Sequence, residues 1–171
     1  TGRAPTEEMY INQGMGTIYC RAHTTDFMYA SRGYEYKIKR LLRSSMSRFN
    51  LFIDVGACIG EYSVWLASQG KTCIAVEPVK DNFLSLNKNL VLNGLEDRVI
   101  TANVALSDHQ GTAEFAIRTM NKGASGLASF FAPGTGVSER VPMTTLDALL
   151  EQLNPDLDQG VVLKIDAERM E

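Results

Sequence analysis

The chain has 171 residues, of which 44% are hydrophobic and 22% charged, the make-up of a soluble globular protein long enough for one main domain with a core. Its formal net charge of −3 gives no broad attraction to nucleic acid, which is normally bound through a basic face, and no run approaches the roughly 18 apolar residues needed to span a bilayer. Cys20, Cys58 and Cys73 form no CxxC pair and cannot all be joined in disulfides, so a reducing, cytoplasmic setting without a structural metal is expected.

Residues 1–50 read as an N-terminal cap. The opening TGRAPTEEMY lacks the layout of a signal peptide, residues 18–29 alternate polar and aromatic side chains, and residues 34–48 are amphipathic at helical spacing. Lys37, Lys39, Arg40, Arg43 and Arg48 are interleaved there with Ile38, Leu41, Leu42, Met46 and Phe49. The preferred reading is a solvated helix face, and the other is a patch for a ligand or phosphate.

From residue 51 to 171 the apolar runs become short and continuous, separated by helical patterns, as buried parallel strands alternating with crossover helices do. LFIDV (51–55) is a strand, followed by a glycine-bearing turn and a helix over 60–68 that holds Trp65 in the core. TCIAVEP (72–78) is a second strand. A helix over 80–92 follows, with Phe83, Leu86, Leu90 and Val91 on its apolar side and Gly94 as its stop.

VITANVAL (99–106) is a third strand, and TAEFAI (112–117) alternates like an antiparallel one. Residues 119–139 read as a long loop, whose Phe130 and Phe131 either cover a substrate or anchor the loop. A short strand over 141–143, a helix LDALLEQL capped by Thr144 or Thr145, and the strand VVLKID (161–166) complete the series. The order specifies an α/β fold with an open, doubly wound, mostly parallel sheet carrying an inserted hairpin. With Thr1 first and KIDAERME ending soon after a strand, the chain reads as cut at both ends, its C-terminal part incomplete. The exposed edge left there would be covered by a partner or by self-association.

The informative string is DVGACIG, Asp54 to Gly60, between a strand and a helix. Glycine lets the backbone approach a ligand there, and the helix start offers free N–H groups. A dinucleotide turn reads GxGxxG, whereas here Gly56 and Gly60 are spaced as GxxxG and an acid begins the turn. Asp54 would repel a phosphate but attract an amino-acid ammonium, which favours S-adenosylmethionine over NAD. Glu77, at the end of the second strand, stands where an acid accepts from ribose hydroxyls, unless it is only an exposed strand-end carboxylate. Val104 to Leu106 would wall an adenine or simply end a core strand.

FIDVGACIGEYS, IAVEPVKDNF, NKNLVLNGL, NVALSD, TLDALL and VVLKIDAERME occur in the order found in FkbM-type methyltransferases, and HTTDFMYASRGYEY resembles that family's N-terminal cap. The resemblance implies a Rossmann-like class I fold and transfer of the methyl group of S-adenosylmethionine, typically to a hydroxyl on a sugar or natural product. It also implies that Asp54, Gly56, Ala57, Cys58 and Gly60 form the cofactor turn, Glu77 the ribose acid, and Val104 and Ala105 the adenine wall. Cys58 stands where the family often has asparagine. Lys164, Asp166 and Glu168 match the family's KIDxEG string on the acceptor side, with Arg169 in place of its glycine.

An alcohol needs help to lose its proton, so a carboxylate near the methyl donor is the expected base, Asp166 first and Glu168 second. Lys164 shares a strand face with Asp166 and could pair with it. Asp166 could instead bind acceptor or cofactor, or only close a salt bridge. His23 and Asp26 of the cap either face the acceptor or are structural. A small-molecule or glycan acceptor is the expected partner. Two other classes stay open: an NAD-dependent oxidoreductase, and a cofactor-binding or assembly module without turnover.

Overall fold

The computed structural model describes residues 4–117, 125–127 and 137–166. The N-terminal segment up to residue 50, for which the word cap is kept as a label, opens with an antiparallel hairpin, β1 (Met9–Asn12) and β2 (Thr17–Cys20), in which Met9 faces Cys20. It continues through the short α1 (Asp26–Tyr29), α2 (Tyr36–Ser44) and a 3-10 turn at Met46–Arg48. Then follow β3 (Leu51–Val55), α3 (Glu61–Ser68), β4 (Thr72–Val76), α4 (Lys80–Asn93) and β5 (Val99–Ala102). The remainder is β6 (Ala105–Leu106), β7 (Gly111–Ile117), β8 (Gly126–Leu127), β9 (Val137–Thr144), α5 (Leu146–Leu153) and β10 (Val161–Ile165).

The main sheet is parallel, in the order β10-β3-β4-β5. The chain moves outward from β3 to β5 and then returns to the other side of β3. With right-handed crossovers, this reversal puts α3 and α4 on one face and α5 on the other. The strand residues divide accordingly. Phe52, Cys73 and Ala75 pack with Tyr62, Leu66, Leu86 and Leu90, while Leu51, Ile53, Val55, Ile74 and Val76 pack with Leu149. This is the Rossmann-like, doubly wound arrangement that the element order specifies.

The cap shares the first core: Ile18, Cys20, Ala30, Leu42 and Phe49 belong to the same buried cluster as Phe52 and Ala57. Trp65 is buried in it too, as its place on the helix predicts. Two asparagines of α4 tie the cap down. Asn89 accepts from the Tyr19 N–H at 2.7 Å and donates to the Ile59 carbonyl at 2.8 Å. Asn93 accepts from the Thr17 N–H and donates to the Thr17 carbonyl, both at 2.8 Å. One side of α4 thus holds both β2 and the turn after β3.

Several local expectations need correction. The inward side of α4 is Asn82, Ser85, Leu86, Asn89 and Leu90, and Val91 is 62% exposed, because the buried amides are needed to satisfy backbone groups of the cap and the turn. The basic run is no uniform solvated face. Lys39 is only 2% exposed, whereas Ile38 and Leu41 are exposed, since α2 turns Lys39 inward with Leu42. The Lys39 ammonium donates to the Ser31 carbonyl at 3.2 Å and lies 5.4 and 5.3 Å from the ring centroids of Tyr34 and Tyr62.

VITANVAL is two strands. The Asn103 side chain donates to the carbonyls of Glu77 and Pro78 at 2.8 and 2.9 Å, and beyond it β6 leaves the main sheet to pair in parallel with β9. The hairpin strand after the loop runs over Val137–Thr144 rather than 141–143 alone, paired antiparallel with β7. Of the two cap candidates for α5, Thr145 does the work: its hydroxyl accepts from the Ala148 N–H at 3.1 Å. Gly94 ends α4 in the left-handed conformation, φ 63°.

Candidate active site

A cavity of about 320 Å³ opens at the carboxyl ends of β3, β4 and β10, beside the point where the strand order reverses. Open α/β sheets bind ligands at that switch point, and the volume is within the range of small-molecule sites.

The turn after β3 forms its floor. Gly56 and Ala57 both donate to the Val76 carbonyl, at 2.9 and 3.0 Å. Gly56 has φ 76° and Cys58 φ 49°, so the backbone doubles back tightly enough for residues 56–58 to line the cavity. Gly60 lies beside the cavity. It is glycine because its φ is 83° and an added Cβ would sit 2.5 Å from Leu86 Cδ1.

Asp54 is buried, and its Oδ2 accepts from the Ser63 hydroxyl at 2.9 Å. Its Oδ1 has no hydrogen-bond partner among the described residues; Lys164 Nζ lies 3.5 Å away. Glu77 is also buried and better satisfied. Oε1 accepts from the Val79 N–H at 2.9 Å and Asn82 Nδ2 at 3.2 Å, and Oε2 from the Cys58 N–H at 2.8 Å. Burial still outweighs these bonds and pushes the Glu77 carboxyl up to about 7. Asn82 is held in turn by Arg21 of the cap, which also binds Asp26 at 2.7 Å.

Val104, Ala105 and Leu106 line an apolar part of the wall with Val79 and Phe115. Lys164 and Asp166 line the opposite, polar part, and Lys164 Nζ is 3.5 Å from Asp166 Oδ2, so the pairing expected from their shared strand face is present. Glu168, Arg169, Phe130 and Phe131 lie outside the described residues. His23 is exposed and Asp26 is taken up by Arg21; neither lines the cavity.

Among the lining residues that escape the sequence reading are Tyr29, Tyr34, Glu35, Glu61 and Tyr62. Tyr29 and Tyr34 meet edge-on with centroids 5.1 Å apart, and the Tyr62 hydroxyl donates to Glu35 Oε2 at 2.7 Å. Glu35 has φ 48°, a strained backbone in the cavity wall that no sequence pattern marks. Glu61 follows the glycine turn directly, so its position in the motif could have marked it.

Burial and the neighbouring Asp54 raise the Glu61 carboxyl to about 8 against the pull of Lys164 and Lys39. An acid raised in the folded state stabilises most below its unfolded value, near 4.5, and that contribution is lost as pH rises through about 8. The thermal midpoint of wild type minus that of Glu61→Gln is therefore expected to fall between pH 5 and pH 9. Parallel midpoint curves would rule this out.

Among the described residues, no group of three or more His, Cys, Asp or Glu is placed to hold a metal ion, and no helix is long and apolar enough to cross a membrane.

No curated protein matches the chain. Among solved structures it is similar to the SAM-dependent methyltransferase from Agrobacterium tumefaciens, at 19% identity and TM-score 0.46 over 57% of this chain and 32% of that one. It is similar also to a methyltransferase from Geobacter sulfurreducens, at 24% identity and TM-score 0.35 over 39% and 37%. A third is a protein of Pyrococcus horikoshii assigned as a transferase, at 22% and 0.44 over 58% and 37%. The matches take in about a third of those chains' own lengths. The family model of the methyltransferase FkbM domain matches residues 54–171, from the acid that opens the glycine turn through β10 and well over half of the chain. The chain belongs to the FkbM methyltransferase domain family.

Proposed function

We propose that the cavity binds S-adenosylmethionine and that the protein transfers its methyl group to a hydroxyl of a carbohydrate or small natural product. The observation that carries the cofactor reading is Asp54 Oδ1, a buried carboxylate oxygen in the cavity wall that has no hydrogen-bond partner among the described residues. Such an oxygen suits an amino-acid ammonium and would repel a pyrophosphate. Bound there, the cofactor would supply an already activated methyl group.

The chain's own residues then have to bind, orient and manage one proton. Asp54 Oδ1 takes the ammonium. Glu77 Oε1 already has two donors, so Oε2, with one, is the oxygen left for a ribose hydroxyl. Val104, Ala105, Leu106 and Phe115 offer the adenine an apolar slot. Asp166, half-exposed at the end of β10, accepts the acceptor's hydroxyl proton, and Tyr29 and Tyr34 of the cap give the acceptor ring an aromatic wall. We also take residues 1–50 as a cap on the domain from 51 onward, and a cytoplasmic setting as fitting three free cysteines.

Calorimetric titration of the purified chain tests the reading. S-adenosylmethionine and S-adenosylhomocysteine are expected to bind saturably and NAD not at all. Glu77→Gln, which puts an amide among three donors, should weaken both by about tenfold. Selective NAD binding, or a folded chain that takes up neither adenosyl ligand, would overturn it.

A further inference from the structure

Lys164 and Asp54 are directly opposite in the register of β10 against β3. From there Lys164 Nζ reaches the cavity 3.5 Å from Asp54 Oδ1 and 3.5 Å from Asp166 Oδ2, with its side chain 12% exposed. Both distances exceed the roughly 2.7–3.2 Å of an N–H···O hydrogen bond. The ammonium is thus shared between two carboxylates and fully bonded to neither, while Asp54 Oδ1 has no hydrogen-bond partner among the described residues. Burial acts against the lysine charge, but Asp54, Glu61 and Asp166 more than offset it and keep Lys164 protonated.

If a ligand ammonium takes Asp54 Oδ1, two cations would stand at one carboxylate, and like charges that close repel strongly in a buried site. Lys164 has somewhere to go, since Asp166 is already within reach. We propose that Lys164 is the resident counter-ion of Asp54, and that an incoming amino-acid ammonium displaces it onto Asp166. The proposal rests on the cofactor reading above and goes beyond it in two ways. Lys164 lowers cofactor affinity instead of contributing to it, and cofactor entry positions the acceptor-side acid by giving it a full ion pair. Lys164 is then a positioning residue.

The test is calorimetry at pH 8 with two probes, S-adenosylhomocysteine and 5′-methylthioadenosine, the second of which lacks the amino-acid moiety. Lys164→Met removes the occupant, so the first probe should bind about tenfold more tightly, as when a competing state holding about nine molecules in ten is abolished. The second probe should be unchanged, and Lys164→Arg, which keeps the charge, should restore wild-type affinity. Asp166→Asn, at a half-exposed position tolerant of change, removes the alternative partner. It should therefore weaken the first probe by about threefold and spare the second. Weaker S-adenosylhomocysteine binding in Lys164→Met would mean that the lysine contacts the cofactor, and equal shifts for both probes would mean a general structural role. Either result, or an Asp166→Asn variant with unchanged affinity, overturns the proposal alone. Wild type that is folded and binds neither probe overturns the cofactor reading together with it.

Discussion

Asp54→Asn is expected to weaken S-adenosylhomocysteine binding by about a hundredfold, the size of effect that follows when one partner of a buried, charged hydrogen bond is neutralised. The substitution is isosteric. The Ser63 hydroxyl can still donate to the remaining oxygen, and Lys164 keeps Asp166 at 3.5 Å, so the cavity should hold its shape while losing the charge that faces the ligand. Titration of 5′-methylthioadenosine is the control, and its affinity should stay within about threefold of wild type. An Asp54→Asn variant that binds S-adenosylhomocysteine as tightly as wild type would show that the ammonium docks elsewhere. The central observation for the cofactor site would then be lost.

Gly160→Ala is expected to be the most destabilising single methyl in the described chain, at about 3 kcal/mol or more. Gly160 precedes β10 with φ 76°, a left-handed conformation that costs an L-residue roughly 1–2 kcal/mol. Its carbonyl also accepts from the Asn50 and Leu51 N–H groups at 3.1 and 3.2 Å, which sets where β10 joins β3. An added Cβ would fall on the Arg48 carbonyl oxygen and stand 3.2 Å from Phe49 Cα. Both obstacles are backbone, so relief requires β10 to move, taking Lys164 and Asp166 with it. Gly70→Ala supplies the comparison, because Gly70 has φ 87° but nothing within 4 Å of a Cβ. Denaturant unfolding should give Gly160→Ala a loss at least about twice that of Gly70→Ala. Equal losses would mean that only the dihedral matters and that β10 is not pinned by the cap.

The parallel strands, their crossover helices and the glycine turn were legible because each is written in a short stretch of chain. LFIDV and TCIAV are continuous apolar runs, Gly94 marks its own helix end, and Thr145 caps the next helix from three residues away. The turn's acid and Glu77 were equally readable, since both lie at strand ends whose spacing the motif specifies. Other features had no local signature. Asn103 ends a strand through bonds to carbonyls 25 and 26 residues earlier. Asn89 is buried and Asn93 half-buried on α4 because each accepts from a backbone N–H of β2, 70 and 76 residues away in the chain.

The same division holds for the site. By itself the sequence determined the strand order's ingredients, the glycine turn and the carboxylates on either side of the crevice, because hydrophobic period and turn chemistry act within a few residues. Only the tertiary structure decided that Tyr29, Tyr34 and Glu35 of the cap wall the cavity, that Lys39 is buried beneath them, and that Lys164 faces Asp54. Those contacts depend on how β10 registers against β3 and how the cap packs onto α3 and α4. Both are settled by burying a shared core and satisfying its polar groups across the whole chain, so no single segment encodes them.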